Sequence, residues 1–146
     1  MTDPSNAKQD KLDELYLDLA DRISQMSVAV RSKVGCVIVK NGNLIAMGWN
    51  GMPAGMPNAC EDVQDDGSLI TKPEVLHSES NALMKLAQSG GIGAKDATLY
   101  VTLSPCPECA KLIKQSGISR VVYRHQYRLL DGIDMLKKLD VDVQQR

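Results

Sequence analysis

Two short stretches constrain this chain more than anything else in it: His77-Ser78-Glu79 and Pro105-Cys106-Pro107-Glu108-Cys109. The first offers an imidazole and a carboxylate, the second two thiols. A catalytic zinc ion takes three protein ligands and keeps one position for water. His77, Cys106 and Cys109 suit that set, and Glu79 suits the base beside it. The fold must therefore bring two distant segments to one point. Cysteines three apart at a helix start turn both sulfurs the same way. Pro105 and Pro107 fit such a start, because proline is tolerated in a first turn and rarely deeper. Both ligand groups then lie at helix N-termini, whose partial positive charge favours thiolate. Glu79, two residues beyond His77, falls off the ligand's side of a regular helix. Two other uses of these residues stay open at this point. Cys60 or His125 could close a structural zinc site, and Cys106 with Cys109 could be a redox pair. A structural site has no role for Glu79, and a redox pair needs neither His77 nor Glu79.

A chain of 146 residues, 43% of them hydrophobic, suits one domain with one core, and the expectation is a single domain over 1–146. Residues 1–9 read as a polar, frayed lead without an apolar signal region. The formal net charge of −1 shows none of the basic excess that a nucleic-acid backbone demands. A small anionic ligand, needing only a few local cations, stays allowed. No apolar run approaches the ~20 residues that span a bilayer, so the expectation is a cytoplasmic protein without membrane or nucleic-acid partners. In a reducing compartment, C-x-x-C reads as metal-binding before disulfide.

Apolar residues at helical spacing (Leu12, Leu15, Leu19, Ile23, Met26, Val30) predict a helix from Asp10 to about Arg31. Val34–Val39 and Leu44–Trp49 flank Asn41-Gly42, a strong hairpin signal. Residues 50–73 read as a long Gly- and Pro-rich loop, of the kind that is usually functional. Helices are expected at Glu74–Gln88, Cys106–Gln115 and Asp131–Leu139. Strands are expected at Ala97–Leu103, Arg120–Tyr123 and Val141–Val143. Such alternation points to an α/β fold with helices on both faces of a mixed sheet. Cys36 and Trp49 read as core.

Gly48-Trp49-Asn50-Gly51-Met52-Pro53-Ala54-Gly55, His77-Ser78-Glu79-Ser80-Asn81-Ala82 and Tyr100-Val101-Thr102-Leu103-Ser104-Pro105-Cys106-Pro107-Glu108-Cys109 together resemble the deoxycytidylate (dCMP) deaminase family, in register from about Ser32 to Val143. The zinc motif marks the wider cytidine deaminase superfamily; the loop ahead of it points to dCMP. Ser78 and Ser80 stand where the family commonly has alanine. The resemblance implies a three-layer α-β-α fold with a five-stranded mixed sheet. It also implies conversion of dCMP to dUMP, feeding thymidylate synthesis, with Glu79 moving protons between water, ring N3 and the leaving amino group. It further implies a hexamer activated by dCTP and inhibited by dTTP with magnesium. Asn50 matches an asparagine near the sugar and Tyr127 a tyrosine near the phosphate. Arg31, Lys33 and Arg124 are candidate phosphate cations. Gly51, Met52, Pro53, Gly55 and Asp62 fall in the implied effector loop, and Glu61, Asp62, Asp65 and Asp66 could serve its Mg²⁺. A deaminase that also accepts dCTP or free cytidine, an RNA adenosine deaminase, and a non-catalytic zinc-held binding module are the readings to be separated from this one. Neutral charge weighs against the RNA version.

Overall fold

The computed structural model describes residues 4–146. Helix α1 (Pro4–Ser24) is followed by strands β1 (Gly35–Lys40) and β2 (Asn43–Trp49), and then by a small hairpin of β3 (Glu61–Val63) and β4 (Leu69–Thr71). Helix α2 (Ser78–Ser89), strand β5 (Thr98–Leu103), helix α3 (Pro107–Gln115), strand β6 (Arg120–His125), helix α4 (Asp131–Lys138) and strand β7 (Asp142–Gln145) complete the chain. The main sheet has the order β2-β1-β5-β6-β7. β1 pairs antiparallel with both β2 and β5, whereas β5, β6 and β7 run parallel through the crossover helices α3 and α4. Asn41 and Gly42 both take positive φ, 51° and 76°, as a tight hairpin turn between right-twisted strands requires.

Alternation along the strands sorts the core into two layers. Cys36, Ile38, Leu99, Val101, Val121 and Tyr123 point to one face and pack with residues of α2, α3 and α4. Val37, Val39, Tyr100 and Val122 point to the other and meet Leu17 of α1. The three-layer α/β arrangement and the five-stranded mixed sheet expected from the sequence are both present. Among the described residues, no helix is long and apolar enough to cross a membrane.

Four expectations need correction. Residues 4–9, expected to fray, belong to α1, while Met1 to Asp3 lie outside the described residues. The helix stops at Ser24 and the chain then turns, so Met26, Val28 and Val30 are not on it and stand exposed. The long loop contains the β3–β4 hairpin, missed because three-residue strands carry little alternation. Helix α2 begins at Ser78, so His77 precedes it.

The inner face of α1 also differs from the apolar periodicity. Leu15 and Leu19 are 50% and 37% exposed, while Asp13 is fully buried. Its carboxylate is held from five directions. Oδ1 accepts from Gln9 at 2.9 Å, from the Tyr100 hydroxyl at 2.6 Å and from Arg120 at 2.9 Å. Oδ2 accepts from Arg120 at 2.7 Å and pairs with Arg146 at 3.0 Å. Burial alone would raise this carboxyl group, but the hydrogen bonds from Arg120, Tyr100 and Gln9 outweigh it and lower it to about 2. A depressed carboxylate stabilises the fold above its unfolded pKa, and that contribution fades as pH falls from about 4 through about 2. Its size is about 2 kcal/mol. Asp13→Asn is expected to cost about 3 kcal/mol at neutral pH, because it strands the Arg120 charge. Urea unfolding measures this, and a loss below about 1 kcal/mol would mean that Asp13 does not anchor α1.

Candidate metal centre and active site

The site forms at one end of the main sheet, where β5 stops and α2 and α3 begin. His77 is the N-cap residue of α2 and Cys106 that of α3, both with extended backbone (ψ 159° and 168°). Pro107 opens α3 as its first residue, where its missing N–H costs nothing. Each helix is pressed home by a glycine. A Cβ on Gly48 of β2 would lie 2.4 Å from the Ser78 carbonyl, and one on Gly132 of α4 would lie 2.1 Å from that of Pro105. Only the bare backbone lets β2 and α4 come this close to the two ligand segments.

His77 Nδ1 lies 3.3 Å from Cys109 Sγ and 3.5 Å from Cys106 Sγ. The three donor atoms all fall within 4.8 Å of one another. Nitrogen and sulfur ligands on one tetrahedral zinc stand about 3.6 Å apart, so spacing and donor chemistry both fit zinc. Neither Cys60 nor His125, the residues that would close a structural site, joins the group. One of the two sulfurs is poised for a cation. Cys106 is drawn down to about 3 by its hydrogen bond with Cys109, helped by His77, against the opposing effect of burial. Cys109 is pushed up, because its hydrogen bond to Cys106 and its burial hold the remaining proton. His77 is raised, chiefly by Cys106.

Glu79 is only 4% exposed, in the first turn of α2. Burial raises its pKa against the hydrogen bond that lowers it, which comes from Ser78 Oγ to Oε1 at 2.6 Å. Ser78 therefore fixes one carboxylate oxygen and leaves the other for proton transfer. Beneath it the Cys36 thiol, fully buried as expected, donates to the Ser78 carbonyl.

His77, Glu79 and Cys106 lie along a cavity of about 260 Å³ that is also lined by Asn50, Arg31 and Tyr127. The structure thus brings together the metal and catalytic candidates and three of the five substrate-binding ones, Asn50, Arg31 and Tyr127. Asn50 does more than was expected of it. Its Oδ1 accepts from Val34 N–H at 2.9 Å and its Nδ2 donates to the Ser32 carbonyl at 2.7 Å. The amide holds the loop before β1, and one N–H is left over for a ligand. Tyr127 is set by its own N–H, which donates to Ser104 Oγ at 2.7 Å. Ser104, buried on the cavity wall, went unread in the sequence although it directly precedes Pro105.

Other candidates stand elsewhere. Arg124 does not line the cavity; it faces α1, paired with Glu14, Asp18 and Asp21. Lys33 is exposed and also outside the lining. Gly51, Met52, Pro53 and Gly55 lie outside it too, though the Gly51–Leu76 bridge ties their loop to the residue before His77. The acidic residues of the hairpin do not converge. Glu61 bonds the backbone of residues 30 and 31, Asp62 pairs with Lys72 at 3.8 Å, and Asp66 caps Ser68. Trp49 is half-buried, with Lys85 Nζ 4.4 Å from its ring centroid.

Comparison with known proteins adds a second line of observation. A family model for the cytidine and deoxycytidylate deaminase zinc-binding region matches residues 10–125. The deoxycytidylate deaminase of Enterobacteria phage T4 is 36% identical, covering 76% of this chain and 76% of its own. That of Mycobacterium phage D29 is 41% identical, over 76% of this chain and 92% of its own. Among solved structures, the dCMP deaminase of cyanophage S-TIM5 in complex with dCMP and dUMP superposes with a TM-score of 0.86, at 44% identity over 100% of both chains.

The donor geometry predicts about one zinc per chain after purification, read by atomic absorption. Cys106→Ser and His77→Ala should each reduce retained zinc by about tenfold or more. Full retention by both variants would remove the site from these residues.

Proposed function

Since the chain belongs to the cytidine and deoxycytidylate deaminase zinc-binding family, we propose that it hydrolyses dCMP to dUMP and ammonia in this cavity. One observation carries the reading: Glu79, a buried carboxylate, sits beside three convergent metal donors on the wall of a cavity that is also lined by a cation, Arg31, and a tyrosine, Tyr127. His77, Cys106 and Cys109 would hold zinc. When bound, zinc supplies a Lewis acid that lets water attack at neutral pH.

The remaining work falls to the chain's own residues. Glu79 takes a proton from the attacking water and delivers it to N3 of the cytosine, which makes C4 electrophilic. Oxygen adds at C4 to give a tetrahedral carbon. Glu79 then carries the water's second proton to the amino group, the C4–N bond breaks, and ammonia leaves. Ser78 keeps the carboxylate oriented throughout. The spare N–H of Asn50 is placed for the sugar, and Arg31 with Tyr127 for the 5′-phosphate. Removal of the amino group and addition of one oxygen balance as dCMP plus water to dUMP plus ammonia.

Regulation and assembly extend this reading. We place dCTP activation and dTTP inhibition, with Mg²⁺ carried on the triphosphate, at the loop of Gly51, Met52, Pro53, Gly55 and Asp62. The Gly51–Leu76 bridge supports this, because a ligand that shifts that loop pulls on the segment that sets His77. A homo-oligomer, hexameric in its full form, would cover the apolar side chains around the hairpin, where Val28, Val30 and Val63 are 56%, 73% and 72% exposed.

Glu79→Gln should retain zinc and lose about 10²- to 10⁴-fold in ammonia release from dCMP. A near-normal rate with zinc in place would sink the mechanism. A dCMP saturation curve should be sigmoidal and become hyperbolic when dCTP is added. A hyperbola that dCTP leaves unmoved removes the regulatory reading and keeps the catalytic one.

A further inference from the structure

On the wall of the same cavity a fixed negative charge accompanies the cation. Glu61, the first residue of β3, lines the cavity together with Arg31. One of its oxygens, Oε2, accepts hydrogen bonds from the backbone N–H groups of Val30 and Arg31, both at 2.9 Å. Its strand neighbour Thr71, paired with it in register, accepts from the Arg31 guanidinium at 3.1 Å. The carboxylate is thus pinned by two backbone donors and by the hairpin on which it sits. It cannot swing away from an arriving anion as a free surface glutamate would. Among the described residues Arg31 is the only lysine or arginine lining the cavity, and it faces two carboxylates there, Glu61 and Glu79, so the lining carries no excess of positive charge. Beyond Glu61 the hairpin adds Asp62, exposed and only loosely paired with Lys72.

We propose that Glu61 is a specificity-determining residue that restricts the cavity to nucleoside monophosphates. This deepens the dCMP reading and rests on it. A single phosphate takes Arg31 from Thr71 and tolerates one carboxylate nearby. Each further phosphate brings more negative charge to the same cavity, where among the described residues no second lysine or arginine lines the wall and the carboxylate is locked in place. Like charges held close in a partly desolvated site are strongly unfavourable. Rejection of longer phosphate chains is therefore built into a wall residue, without any steric gate.

The test separates charge from anchoring. In Glu61→Gln the amide oxygen still accepts both backbone N–H bonds while the charge is gone. In Glu61→Ala both are lost. Each variant and the parent enzyme are assayed for ammonia release from dCMP and from dCDP, the diphosphate being chosen because dCTP also serves the proposed effector loop. The readout is the dCDP-to-dCMP ratio of kcat/KM, which does not depend on the fraction of protein folded. Glu61→Gln should raise that ratio about tenfold or more. Glu61→Ala should raise it too, while lowering kcat/KM on dCMP as the loop carrying Arg31 loosens. An unchanged ratio in both variants overturns the role of Glu61 and leaves dCMP deamination standing. A parent enzyme that releases no ammonia from dCMP overturns both.

Discussion

The site exists because two helices begin at the same end of one sheet, with their first turns facing each other. His77 and Cys106 cap those helices, and Cys109 lies one turn further along α3. Such a meeting is costly to arrange, since both segments must be driven inward against neighbouring backbone. The structure achieves it by omitting side chains at Gly48 and Gly132, where a single methyl group would collide with the carbonyls of Ser78 and Pro105. Strand β2 and helix α4 thus act as the two jaws that fix the donor spacing. The helix ends contribute their dipoles to the same point, where anionic sulfur and developing negative charge are both favoured.

Much of this was legible in the chain itself. The Asn41-Gly42 turn, the alternation of strands with helices and the H-x-E and P-C-x-x-C segments that carry His77, Glu79, Cys106 and Cys109 all rest on local rules, and local rules read well from sequence. What escaped reading depended on distant partners. Arg124 sits three residues from Tyr127 in the chain, yet its charge is claimed by three acidic residues of α1 about a hundred positions earlier. Asp13 breaks the apolar stripe of α1, and the periodicity turns that stripe toward the wrong side; Arg120, Tyr100 and Arg146, far along the chain, explain a buried aspartate there. The β3–β4 hairpin was hidden because three-residue strands leave no periodicity to detect. Asn50 reads from the sequence as a contact for the sugar. Its amide has enough donors and acceptors to hold the loop and still face the cavity.

The same loop shows how binding groups are supported in this protein. Residues 27–34 have no regular structure, but Ser27 bonds the Asn50 carbonyl, Asn50 bonds residues 32 and 34, and Glu61 bonds residues 30 and 31. Arg31 therefore projects from a segment tied to both β2 and the hairpin. A cation proposed to meet an anionic ligand is most useful when its backbone is already ordered, because less freedom is lost on association.

The Asp13 cluster and the zinc donors lie on opposite faces of the central sheet, one under α1 and the other against α2 and α3. With the sheet between them they share no side-chain partner, and effects at sites so separated combine almost additively. Changes that harden one side against heat can accumulate without disturbing chemistry on the other. A lineage carrying this architecture is free to explore new nucleotide preferences while its scaffold is tuned independently.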